Sequence, residues 1–108
     1  MKTVLVTGGC GCLGSWIIKL LIENKDKVIC LDTSKNLNRL KLILDENSLK
    51  KISFNYIDIF DFEKIDKLVK KEKINFIVHL AAFQVPFVRS NPVLGARVNV
   101  EGTVALYE

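Results

Sequence analysis

The sequence has little of what builds a metal centre or a disulfide framework: three cysteines and one histidine in 108 residues. Cys10 and Cys12 form a C-x-C pair without the second ligand pair that a zinc site needs, and Cys30 lies in an apolar run. All three read as small side chains filling a turn and a strand, and neither a metal nor a disulfide is expected. Long apolar runs are also missing. Met1-Lys2 and the residues after them could pass for a signal peptide, but the run stops at Val6 in a glycine cluster. Lys19 interrupts the longest candidate for a membrane span. The net charge of +4 comes from scattered lysines such as Lys64, Lys67, Lys70, Lys71 and Lys73, with no aromatics interleaved. Such a set reads as a solvated helix face and not as a nucleic-acid footprint. There is no repeat, linker or low-complexity stretch, and 49% hydrophobic with 26% charged residues is an ordinary globular balance. The expectation is one cytoplasmic domain that binds neither nucleic acid nor membrane.

What the sequence does have is Thr7-Gly8-Gly9-Cys10-Gly11-Cys12-Leu13-Gly14, between the apolar run Val4-Leu5-Val6 and the helical pattern that starts at Ser15. Strand, glycine turn and helix in that order suit a diphosphate for a physical reason. Free N–H groups at a helix N-terminus point outward and carry the positive end of the peptide dipoles. Glycine lets backbone and phosphate approach where a Cβ would hold them apart. The glycines fit two registers: Gly9, Gly11 and Gly14 as G-x-G-x-x-G, and Gly8, Gly11 and Gly14 as T-G-x-x-G-x-x-G. A P-loop would need lysine after the last glycine, and Ser15 follows Gly14 directly.

Along the chain, periodicity predicts strands over Thr3–Thr7, Val28–Leu31, Ile52–Ile57 and Phe76–Leu80. It predicts helices over Cys12–Glu23, Leu37–Leu44 and Phe62–Lys71, and from Val93 to the last residue, with a loop around Pro86 and Pro92. Leu13, Ile17, Leu20 and Leu21 are the expected inner face of the first helix. Asp61 suits an N-cap and Pro92 a helix first turn. Short apolar strands alternating with helices give a doubly wound, Rossmann-like α/β domain with a parallel sheet, cut after the fourth strand and helix.

Asp32 ends the second strand about twenty residues beyond the glycine turn, where a carboxylate accepts from adenosine ribose hydroxyls and repels a 2′-phosphate. That favours NAD over NADP, against which Lys35 stands as a nearby cation; a turn aspartate bonding its own backbone is the plain alternative.

The motif at 7–14, Leu31-Asp32, Tyr56-Ile57-Asp58-Ile59, His79-Leu80-Ala81-Ala82, Asn91-Pro92 and Asn99-Val100-Glu101-Gly102-Thr103 come in one order. Over the whole chain this set resembles the extended short-chain dehydrogenase/reductases, the NAD-dependent epimerase/dehydratase family of sugar-nucleotide enzymes. The resemblance implies that Gly8, Gly11, Cys12, Leu13 and Gly14 surround the pyrophosphate and that Asp32 holds the ribose. It places Asp58 and Ile59 at the adenine, the Asp58 carboxylate accepting from the amino group, and Leu80, Ala81 and Ala82 beneath the nicotinamide-side ribose. Asn99 matches an asparagine that holds strand four and lies near the cofactor; a structural hydrogen bond alone is the equal alternative. His79 reads as a satisfied core histidine and not a general base. Gln84, Val85, Pro86, Phe87 and Arg89 fall where the family faces its substrate, a nucleotide sugar or related polyol. The implied chemistry is hydride transfer to and from the nicotinamide, in a family whose members often dimerise through the fourth helix and the one after it.

That chemistry uses a Tyr-x-x-x-Lys pair. Tyr56 is followed four residues on by Phe60, and Tyr107 by only one residue, so the 108 residues hold no catalytic candidate. The expectation is a partial cofactor domain without a substrate domain, from an epimerase, dehydratase or dehydrogenase; the alternative is a non-catalytic dinucleotide-binding or redox-sensing module. An open edge on strand four is an aggregation liability. The isolated chain is therefore expected to be poorly stable, and a cooperative, monomeric thermal transition in calorimetry is the result that contradicts this.

Overall fold

The computed structural model describes residues 1–108. Four strands, β1 (Thr3–Thr7), β2 (Lys27–Leu31), β3 (Ile52–Asn55) and β4 (Phe76–His79), form one sheet in the order β3-β2-β1-β4. Every pairing is parallel, with Val4 opposite Val28 and Phe76, and Val28 opposite Ile52. The helices are α1 (Cys12–Glu23), α2 (Asn38–Ile43), α3 (Glu46–Lys50), α4 (Phe62–Glu72), α5 (Val85–Ser90), α6 (Pro92–Ala96) and α7 (Gly102–Tyr107), with a π-turn at Arg97–Glu101 joining the last two.

Successive side chains of a strand point to opposite faces, and here both faces are covered. Val4, Val6, Val28, Cys30 and Ile52 pack against Ile18 and Ile22 of α1 and Leu40 of α2. Leu5, Ile29 and Leu31 on the other face pack against Ile59, Ile65 and Leu68 around α4 and Val98 of the π-turn. Burial on both sides is why these strands read as continuous apolar runs. The two outer strands differ from the middle pair: β4, at one edge, leaves Phe76 52% exposed.

The first helix turns a different face inward from the one expected. Leu13 and Leu20 are 61% and 63% exposed, while Gly14, Ser15, Ile18 and Ile22 are buried and Ile17 and Leu21 are half-buried. The run from Leu13 to Ile22 is so nearly all apolar that periodicity cannot choose a face. The glycine turn chooses it: a Cβ at residue 14 would strike the Gly8 carbonyl oxygen and lie 2.8 Å from Gly9 Cα. Residue 14 therefore sits against the turn, and residues 18 and 22, four and eight along, follow it onto the sheet. On α4 the buried residues are Ile65 and Leu68, with Val69 half-buried and Phe62 exposed.

Two short helices were not expected. Asp45 caps α3 by accepting from the Ser48 N–H at 2.7 Å, and that bond, with Ser48, holds the Asp45 carboxyl below its usual pKa. Pro86 lies in the first turn of α5, the role anticipated only for Pro92. Strand β3 ends at Asn55 and not at Ile57, and β4 at His79 and not at Leu80. The predicted fourth helix is present from Pro92 to Tyr107, interrupted by the π-turn. Asp61 caps α4, accepting from Lys64 N–H at 3.4 Å.

The face assignment of α1 has a direct test. Ile18→Ala is expected to cost about 2–5 kcal/mol in urea denaturation, whereas Leu20→Ala stays within about 0.5 kcal/mol of the parent.

Candidate functional site

The carboxyl ends of the strands open onto a cleft of about 820 Å³. Its floor is the glycine turn, and three features make that turn receptive to an anion. Gly8 takes φ +70°, a left-handed conformation that turns the chain sharply after β1. Gly11 is the N-cap of α1 but contributes no side-chain acceptor, and no acidic residue lies in the helix's first turn. The amides and the positive dipole end there are thus left without a protein anion. Gly8, Gly11, Cys12, Leu13 and Gly14 all line the cleft.

Asp32 lines it from the end of β2. Its carboxylate is fixed by two amides, Cys10 N–H donating to Oδ2 at 3.0 Å and Ser34 N–H to Oδ1 at 2.9 Å. The second is the turn bond of the plain reading; the first ties the carboxylate to the glycine turn across 22 residues. A carboxylate has about four acceptor sites, so capacity for a diol remains. Asp58 and Ile59 also line the cleft, from the segment that leaves the sheet after Asn55. The Asp58 side chain has no hydrogen-bond or ion-pair partner in the chain, whereas Ile59 is 4% exposed and largely serves the core, where it packs against Gly102. Leu80, Ala81 and Ala82 complete the set opposite the turn.

Eleven of the twelve expected positions thus share one cleft. Asn99 stands behind its wall. Its Oδ1 accepts from Phe83 N–H at 2.8 Å and its Nδ2 donates to Phe83 C=O at 3.1 Å. The amide makes a two-point clamp on the chain leaving β4. Lys35 is also not on the cleft: its Nζ lies 5.3 Å from the centre of the Tyr56 ring. The cation that does line it is Arg39, inconspicuous in the sequence because it follows Asp32 by seven residues. Cys10 and Cys30 are buried beneath the turn, and burial, then the Asp32 charge on Cys10, pushes both thiols upward, so they fill space as protonated side chains.

The family model for GDP-mannose 4,6 dehydratase matches residues 5–108. The chain belongs to the NAD-dependent epimerase/dehydratase family. UDP-glucose 4-epimerase 2 of Arabidopsis thaliana is 32% identical to it, over 99% of this chain and 32% of the relative. The structure of UDP-glucose 4-epimerase from Thermotoga maritima with UDP-glucose matches with a TM-score of 0.81 at 28% identity, over 97% of this chain and 32% of that one. The enzyme of the same name from Thermus thermophilus, in complex with NAD, gives 0.79 at 28% identity, again over 97% and 32%. The chain therefore spans about a third of the length of the relatives it matches. No helix is long and apolar enough to cross a membrane.

Behind the cleft of this family member lies a hydrogen-bond network that the sequence did not announce. The Thr7 hydroxyl accepts from Leu80 N–H at 2.9 Å and Ala81 N–H at 3.1 Å, and lies 2.6 Å from His79 Nδ1. With both lone pairs taken, the hydroxyl donates its one proton to Nδ1. The ring proton then sits on Nε2, which donates to Thr103 Oγ1 at 2.9 Å, and that hydroxyl donates to Asn99 C=O at 2.8 Å. These donors and acceptors run in one consistent direction from β1 to α7. His79 is the satisfied histidine expected, and burial lowers its pKa. A proton on Nδ1 would also give Thr7 a third donor for two lone pairs.

The sign of the pH effect follows. The folded-state value lies below the usual 6.5, so between the two the unfolded chain binds a proton that the folded chain refuses. The contribution of His79 is complete above pH 6.5 and is lost as the pH falls through the lowered folded value. Between about pH 7.5 and 5.5, urea midpoints of the parent are expected to fall more steeply than those of His79→Gln, which starts lower at the alkaline end and stays flatter.

Proposed function

We propose that this chain is the NAD-binding part of a sugar-nucleotide epimerase, dehydratase or dehydrogenase, a partial Rossmann domain occupying 1–108. The observation that carries the reading is the convergence of the unneutralised α1 N-terminus, the fixed Asp32 carboxylate and the strand-end residues on a single cleft. The residues fit a dinucleotide: a Cβ at residue 8 would meet Ala81 N at 2.9 Å, so the turn and the β4 end approach as closely as backbone allows. In this reading the amides at 11–14 hold the pyrophosphate, Asp32 takes the ribose hydroxyls, Asp58 accepts from the adenine amino group, and Ala81 and Ala82 leave room for the second ribose. NAD supplies reversible hydride acceptance. This chain's residues bind and orient it; the acid–base pair that moves the substrate proton is not among them.

The substrate proposed is a nucleotide sugar, the class for which the relatives are named. Exposed Val100 of the π-turn and Val104 and Tyr107 of α7 form the face proposed for a homodimer contact in the whole protein. The alternative of a non-catalytic module uses the same cleft, and NAD binding is common to both.

Isothermal titration of the 108-residue chain is expected to show NAD binding, with NADP weaker by about tenfold or more because the Asp32 carboxylate repels a 2′-phosphate. Asp32→Ala is expected to weaken NAD by about 10–100-fold, the value of a charge-assisted diol contact, and to erase the preference. Equal affinity of the parent for both cofactors overturns the reading of Asp32; absence of NAD binding by a chain that circular dichroism shows to be folded overturns the function.

A further inference from the structure

Arg39 is the one cation that lines the cleft, and the chain gives it nothing to bind. It is exposed near the start of α2, its guanidinium has no hydrogen-bond acceptor in the protein, and it pairs with no carboxylate within 4.0 Å. Two carboxylates, Asp32 and Asp58, line the same cleft, and neither lies within ion-pair distance of it. Asp32 is held by the Cys10 and Ser34 amides, and Asp58 follows the end of β3. The other nearby cation, Lys35, is directed onto Tyr56. A single unpaired guanidinium therefore lines the cleft from the connection between β2 and β3, whereas Leu80–Ala82 follow β4 at the opposite edge of the sheet.

We propose that Arg39 caps the adenine ring, laying its guanidinium plane against the outward face of the base. This rests on the dinucleotide reading above and adds a specificity-determining residue to it. Two ligand groups could engage a guanidinium there, a 2′-phosphate or the π face of the base. The fixed Asp32 carboxylate decides between them: in the dinucleotide reading it faces the ribose hydroxyls, and it cannot swing away without giving up both amides, so a phosphate dianion at that hydroxyl meets a like charge. A neutral aromatic ring meets no such penalty, and guanidinium stacks on aromatic faces with a planar fit that an ammonium lacks. The same stacking leaves Asp58 free to accept from the amino edge of the base.

The test is equilibrium titration of the 108-residue chain with NAD, NADP and AMP, for the parent, Arg39→Ala and Arg39→Lys, with circular dichroism to verify that each variant is folded. Arg39→Ala is expected to weaken NAD and AMP by the same factor, roughly tenfold, and Arg39→Lys is expected to recover less than half of that loss on a logarithmic scale. Three results overturn the inference: unchanged AMP affinity in Arg39→Ala, a loss confined to NADP, or full recovery by lysine. The last two mark a phosphate contact. A parent chain that binds neither NAD nor AMP removes the dinucleotide reading itself, and the cap with it, so the two failures are told apart by the parent alone.

Discussion

The carbonyl oxygen of Gly8 occupies the place where a side chain on residue 14 would be, and much of the structure depends on that contact. It lets α1 start directly over the end of β1. It also fixes the helix's rotation, because the residue nearest the turn must be the one without a Cβ. From that rotation come the burial of Ile18 and Ile22 against Val4, Val6 and Cys30 and the exposure of Leu13 and Leu20. The same contact brings the first-turn amides to the mouth of the sheet, where no acidic side chain answers them. In the proposed reading packing and ligand chemistry are one constraint: the close approach that makes a good helix–sheet contact also leaves the first-turn amides open to an anion.

A second constraint holds the other side of the cleft. The Thr7 hydroxyl binds two consecutive amides just beyond β4, so the end of the edge strand is tied to the central strand by side chain as well as by the backbone bond from Leu80 N–H to Thr7 C=O. His79 and Thr103 carry the connection on to α7, and Asn99 clamps Phe83 from the adjoining π-turn. An edge strand has a neighbour on one side only, and here that pairing is reinforced by side chains. They are neutral throughout, which suits a half-buried place where an ion would lack solvent.

How far the sequence could be read depended on how local each determinant was. The strand–turn–helix and its glycines, Asp32 and the Asp61 cap are signalled within a few residues, and each lies where its own neighbourhood implied. The inner face of α1 was not legible, since seven of the ten residues from Leu13 to Ile22 are large and apolar; the decisive contact is between residues 8 and 14 across a turn. Helix α5 is hidden because a proline marks a loop and a helix's first turn equally well, and Pro86 occupies the latter. The ends of β3 and β4 were overrun because Tyr56-Ile57 and Leu80 continue an apolar pattern after the pairing has stopped. Asn99, Thr7 and His79 were visible as residues but their partnership was not, because it joins positions up to 74 residues apart. Arg39 escaped for the same reason: nothing local distinguishes it from the other surface cations.

The cleft carries charge of both signs. At the turn, the positive end of α1 faces outward without a counter-charge. At the end of β2, a carboxylate is held in place by amides, and its own charge stays uncompensated by Arg39. Under the nucleotide reading proposed above, the two ends ask for different groups: the α1 terminus for an anion, and the amide-held carboxylate for neutral donors, because a further anion there would meet a like charge. The glycine motif speaks only to the first of these, and Asp32 to the second.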